Sequence, residues 1–497
     1  MKAFAILLAA ILSFGIVGMI LAGTSDVTFA QMSPPLPTNG TDLGGNTTIP
    51  EPSMPLPEPI PVPEPVPVPA PTPPETPSGN ETTDEISVDQ PPEEISSTNR
   101  CIEHDVETDI VHIVCDADIY ELFAGLRDDS ITQQLGFGEI LINANITVDD
   151  GATFSINSDR GINYVKIADG QGITVLGAIH IDDIKLTSWD PTSSKVIRQD
   201  ETGSTKRAFL LLSESEGGHI FNSELGYMGY NATGYRGVDL IEDSHDFGII
   251  NSTFHNMWYA FYSNAAYNIT IDSSEYHDNH QYAVDPHTGT HNMTISNNTV
   301  HSNPVGLVCS LDCYDILFEG NTIYNNTGAG IFFSRNTYDS IARNNTIYDQ
   351  PIGIAFSESP NNQVYGNNIY SVGRGIVFNN PEFQDDGSAI NNRVYDNTIS
   401  DSTVGIVAFR SADNIVSDNL LRNITMSHYR LDAGASLTIS SQTFEKDTIE
   451  GREGENTVNF ANMSSSIMID AETYDASMQH SVKLTNQTIM VSSVPRD

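Results

Sequence analysis

The sequence predicts an all-β fold, a parallel β-helix with 22–24 residues in each coil. Two registers of the repeat and one absence support this. Small residues opening short apolar runs stand at Gly237, Ala260, Ala283, Gly306, Gly330, Gly353, Gly375 and Gly405, at spacings of 23, 23, 23, 24, 23, 22 and 30. A second register of serine or asparagine drifts with it, through Ser252, Ser274, Asn298, Asn321, Asn345, Asn368, Asn397 and Asn419. The runs show no helical periodicity and are joined by Asn- and Gly-rich bends, which tolerate left-handed backbone. A leucine-rich repeat would need a leucine pattern that is missing here, and a propeller blade needs roughly 40 residues.

From the N-terminus, Lys2 precedes an apolar run from Phe4 to Ala22. Residues 1–30 read as a signal sequence, cleaved after Ala30, or as an uncleaved anchor. Either places the rest outside the cytoplasm, secreted or held at the cell surface. Residues 31–99 hold 19 of the 26 prolines and form a linker, either a polyproline II spacer or a disordered tether. Cys101 and Cys115 then form a disulfide closing a loop of about 15 residues, worth roughly 3 kcal/mol. Within an N-terminal cap of 100–137, the stretch Asp116 to Arg127 has apolar residues at helical spacing. A helix there covers the open end of the solenoid, which would otherwise expose strand edges. Strands begin after Gly138, Ser188 to Lys206 reads as a loop, and the β-helix runs over 138–423. The long step in the repeat holds an insertion, Pro381 to Gly387. Residues 424–497 supply the last turns and a C-terminal cap. Sequons such as those at Asn231 and Asn268 are mostly by-products of asparagine bends followed by β-branched strands.

Period-2 alternation assigns the faces. Val284, Leu307, Ile331, Ile354, Ile376 and Ile406 point inward, as do Pro286, Cys309, Phe333, Phe356, Phe378 and Ala408. Cys309 is then a buried small residue. With Cys313 as its only companion, a metal site is not expected. The stretch Tyr282 to His291, YAVDPHTGTH, concentrates an acid, two histidines and a tyrosine. Asp285 and His287 face outward towards solvent. Tyr262 and Asn264 lie on the preceding coil, and Asp239 lies above those. Arg236, Tyr259 and Tyr282 fill the column before the small residue. Together they form a polar, aromatic groove suited to carbohydrate.

The same stretch resembles the signature of the mannuronan C5-epimerases through Tyr282, Asp285, Pro286 and His287. The likeness extends from about Gly177 to Asn419. The resemblance implies a right-handed parallel β-helix that takes and returns the C5 proton of a uronate within a polymer, without cleaving the chain. Two departures are visible. Thr288 stands where alginate-pathway members often carry aspartate, and Leu311 where they carry arginine.

With 65 acidic and 22 basic residues the formal net charge is −43, which opposes nucleic acid as a partner. An anionic polysaccharide needs local cations or calcium. No cofactor is required by the sequence, and calcium is left open. Arg335 and Arg410 share the fifth position after the small residue, and Arg374 lies in the Arg236 column, giving a sparse basic line. Removing a proton beside a carboxylate creates a dianion, so the carboxylate must first be neutralised. Arg236 is the first candidate for that role and Arg335 the second. Tyr282 and His287 are the acid–base pair, His280 is an alternative base, and Asp285 orients His287 or shares a proton with the carboxylate. Besides a C5-epimerase, a polyuronate lyase and a non-catalytic carbohydrate-binding β-helix fit the same features.

Overall fold

Three strands of each coil turn the chain around a continuous apolar core. The computed structural model describes residues 101–379 and 389–495. The signal or anchor, the linker and the insertion at Pro381 to Gly387 lie outside the described residues. One sheet of 15 strands forms one face. The other two faces merge into a 30-stranded sheet, because Thr346–Ser357 and Asn368–Asn379 run unbroken around the corner between them.

The inward columns stack as the alternation requires. Val284, Leu307, Ile331, Ile354, Ile376 and Ile406 align coil by coil and are all fully buried. Phe333, Phe356 and Phe378 stack below Cys309, with ring centroids 5.0 and 5.1 Å apart. The small-residue column has a steric cause. A Cβ added at Gly306, Gly330, Gly353 or Gly375 would lie 2.5–2.9 Å from the carbonyl oxygen of the glycine one coil on.

The asparagine register is a hydrogen-bond ladder. The side chain of Asn321 is accepted by Asn345, that of Asn345 by Asn367, and that of Asn367 by Asn397, at 2.8–3.0 Å. The ladder position is Asn367 and not Asn368, which instead pairs with Thr346 and Thr398 as a strand residue. Two adjacent asparagines left that choice open in the sequence. A second ladder joins Asn279, Asn303 and Asn326, and a third joins Asn362, Asn392 and Asn414. These amides satisfy buried backbone groups at bends, where no strand partner is available. Asn345 accepts from the backbone and side chain of Asn321 and donates to Phe318 O. Asn345→Ala strands those groups and should cost on the order of 3 kcal/mol in chemical denaturation. A loss below about 1 kcal/mol would mean that water replaces the ladder.

Stacking starts earlier than the expected boundary at Gly138. Ile110–Ile113 already pairs in parallel with Asn145–Val148, and Ala117–Asp118 with Thr153–Asn157. The Cys101–Cys115 disulfide therefore staples the first coil. The helix spans Ile119–Leu126, shorter than the periodicity suggested. Asp118 caps it through a reciprocal capping box with Glu121, and Arg127 ends it in left-handed conformation. Its Ile119 and Leu122 are buried against the first coils. Part of the expected loop after Ser188 is a short hairpin, Lys185–Asp190 with Lys195–Val196. At the C-terminal end parallel stacking continues through Asn456–Ala461, and antiparallel strands close the edge. Asn231 and Asn268 are exposed.

Candidate active site

The strand Tyr282–His287 carries the motif on an outer face of the β-helix. Its register matches the sequence reading: Tyr262 pairs with Asp285, Asn264 with His287 and Asp239 with Tyr262. The expectation that this face is open to solvent is corrected. Asp239 is 0% and Asp285 2% exposed, and Tyr262 and Tyr259 only 5% and 7%. The cause is aromatic packing. Trp258, Tyr259 and Tyr262 form an apolar cluster with Tyr282 against it, and the Tyr259 and Tyr282 rings meet edge-on at 5.2 Å. Arg236 lies over the Tyr262 ring at 4.0 Å and the Tyr259 ring at 5.7 Å. The result is a roofed polar layer.

Burial dominates the electrostatics of that layer. It raises Asp239 to about 7 against the pull of Arg236. It raises Asp285 to about 7 against Arg236 and Arg335, with Asp239 adding to the rise. Arg236 Nη1, Asp239 Oδ1 and Asp285 Oδ1 are buried without a hydrogen-bond partner. His287 moves the other way. Burial, and then Arg335 and Arg236, lower it to about 3, so the imidazole is neutral. Its tautomer follows from its neighbours. Arg335 Nη2 lies 3.4 Å from Nε2 and can only donate, while Nδ1 lies 2.5 Å from Thr288 Oγ1. The proton is therefore on Nδ1 and the Nε2 lone pair faces Arg335.

Both candidate arginines act on this layer. Arg335 reaches back over two coils to His287 and is held by Ser310, which accepts from its Nε at 3.1 Å. Arg236 lies over the tyrosine rings and acts on both aspartates, with its Nη1 unpaired. Leu311 supplies no cation, and Arg335 stands in the site instead. Ser310 and Thr288, which fix Arg335 and His287, were not singled out as site residues. Their only sequence signal is their place just below and just after His287. His280 lies on the Trp258 side of the aromatic cluster. It stacks on Trp258 at 6.0 Å, and burial and Arg207 lower its pKa. Cys309 and Cys313 are buried free thiols under this face.

Stability should report the buried acids. The folded-state pKa of Asp239 lies above its unfolded value. Its favourable contribution is therefore complete below about pH 4 and is lost as pH rises through about 7. The His287 contribution has the opposite sign, present above about 6.5 and lost as pH falls towards 3. Asp239→Asn should therefore flatten the fall in stability between pH 4 and 8 by on the order of a few kcal/mol. A Tm series giving the wild-type slope for this variant refutes the assignment.

Comparison with known proteins adds an independent line. The family model described as "Right handed beta helix region" matches residues 236–384. The mannuronan C5-epimerase of Pseudomonas aeruginosa is 28% identical over 218 residues, 41% of this chain and 40% of that protein. That of Azotobacter vinelandii is 29% identical over 279 residues, 52% and 51%. Over part of its length the chain is similar in sequence to the mannuronan C5-epimerases. The alignments span about half the length of these relatives or less. The crystal structure of the periplasmic alginate epimerase AlgG superposes with a TM-score of 0.54 at 20% identity, over 64% of this chain and 85% of that one, and so shares the β-helix.

Proposed function

We propose that the protein inverts C5 of uronate residues within an anionic polysaccharide of the mannuronan type. The observation that carries this reading is a neutral, half-buried histidine whose free Nε2 faces a guanidinium, with a protonatable aspartate two residues before it on the same strand. The substrate carboxylate binds Arg335, displacing its direct contact with His287. Asp285, protonated near neutral pH, shares its proton with the same carboxylate. Charge developing on C5 is delocalised into a group already neutralised. The carboxylate also offsets the cation that holds His287 low, so the base strengthens when the substrate arrives. His287 takes the C5 proton from one face, Tyr282 returns one to the other, and no bond to the neighbouring sugar breaks. Arg236 holds the tyrosine wall and the two aspartates in place. In a lyase the same abstraction would expel the 4-O substituent.

In this reading Arg335 takes the part for which calcium was left open. Among the described residues no group of three or more His, Cys, Asp or Glu side chains is placed to hold a metal ion. The leader-like N-terminus and the disulfide support a place outside the cytoplasm. Among the described residues no helix is long and apolar enough to cross a membrane.

The test is incubation with polymannuronate in deuterated water, followed by NMR at C5, with and without a chelator. Deuterium uptake with inversion, insensitive to chelation, is expected. A new unsaturated end group would make the protein a lyase. Binding with no exchange on any polyuronate would make it a carbohydrate-binding β-helix.

A further inference from the structure

One fully buried cation has no part in the steps above. Arg207 is 0% exposed and stands just before the strand Phe209–Ser213. Burial lowers its pKa only to about 9, so it keeps its charge at neutral pH. Its hydrogen bonds go to neutral main-chain carbonyls. Nε donates to Gly229 O at 2.7 Å, Nη2 to Met228 O at 2.6 Å and Nη1 to Asn256 O at 2.7 Å. Charge-assisted bonds of this kind are stronger than neutral ones, and here they fix backbone.

The three carbonyls sit where two segments enter the catalytic layer. Met228 to Gly237 is a loop closed at its foot. Tyr230 N donates to Tyr235 O at 2.7 Å, and a Cβ at Gly229, with φ at 78°, would lie 1.8 Å from Arg236 O. The loop therefore delivers Arg236. Asn256 leads into Trp258, Tyr259 and Tyr262 on the next coil. That coil hangs on the same foot, with Trp258 N donating to Met228 O and Tyr259 N to Arg236 O, both at 2.9 Å. Met228 O thus accepts from Arg207 and from Trp258.

On the proposed epimerase reading we infer that Arg207 is a positioning residue, which clamps the foot of the Arg236 loop to the coil of Tyr259 and Tyr262 and so holds the Arg236 guanidinium over those rings. The planar fork is what the task needs. A lysine keeps the charge but cannot span carbonyls on two coils. Arg236 in turn lowers the pKa of Asp285 against burial, as Arg335 does, while Asp239 raises it.

The test compares full-length wild type, Arg207→Lys, Arg207→Gln and Arg236→Leu, with the position 207 variants also placed in the Arg236→Leu background. Two substitutions are used in case one of them unfolds. NMR of arginine-labelled protein reads the Arg236 side chain, which the Tyr262 ring current shifts and which Arg236→Leu assigns by its loss. In the folded variant that ring-current shift should collapse. Displacing Arg236 should also let Asp285 keep its proton longer, moving the alkaline limb of C5 exchange up by about half a pH unit. In the Arg236→Leu background the limb should move no further. Wild-type Arg236 resonances in a folded position 207 variant, or an equal movement of the limb in both backgrounds, overturn the inference. Displaced Arg236 resonances, with no exchange by the wild type on any polyuronate, keep the clamp and overturn the epimerase reading instead.

Discussion

His287→Ala should abolish measurable C5 deuterium exchange, lowering kcat by at least about a hundredfold, while polymer affinity stays within a few-fold of wild type. The imidazole is neutral, and its free nitrogen faces Arg335, where the substrate carboxylate would sit. It stands outside the core, half-buried against the Tyr262 ring at 5.6 Å, so its removal costs little stability. His280→Ala serves as the comparison. Its ring stacks on Trp258 in a different electrostatic neighbourhood, and exchange should survive. Retention of exchange in His287→Ala with loss in His280→Ala would transfer the base to His280 and move the site across the coil.

Arg335→Leu should be nearly as damaging, at about a hundredfold to a thousandfold in kcat/KM, because the dianionic character of the deprotonated sugar then has no adjacent cation. Arg335→Lys should fall between. A lysine keeps the charge but cannot bond Ser310 and the substrate carboxylate together through one planar fork. Arg236→Leu tests the alternative. In the structure that guanidinium lies over Tyr262 and Tyr259, so its loss should loosen the roof of the site and lower thermal stability. Exchange that tolerates Arg335→Leu but not Arg236→Leu would return the neutralising role to Arg236.

The β-helix was legible because each coil repeats one packing problem, and one solution recurs in the letters. Glycine at Gly306, Gly330, Gly353 and Gly375 answers the close approach of the next coil's carbonyl, and the isoleucines beside them fill the core. The pairings Tyr262–Asp285 and Asn264–His287 follow from the same registers. Three things did not follow. Burial of Asp239 and Asp285 on an outward face depends on how large aromatic side chains fold back over the sheet, and alternation assigns a face but not how a side chain lies along it. The reach of Arg335 across two coils depends on a long side chain leaving a left-handed bend, with φ at 48°. The ladder at Asn367 could not be chosen over Asn368 without knowing which amide meets Asn345 and Asn397.

The asparagine ladders also bear on how such a scaffold can change. Between Asn362 and Asn392, and between Asn367 and Asn397, the sequence interval stretches to 30 residues, against 22 for the links to Asn362 from Ser340 and to Asn367 from Asn345. The amide contacts across the long interval are nonetheless 2.8–3.2 Å, as elsewhere. The extra residues lie between Asn379 and Ala389 in the sequence. A coil can therefore lengthen between its clasped corners while these keep the helical rise. Loops of different length can be carried there one at a time while the stacked architecture on either side is kept.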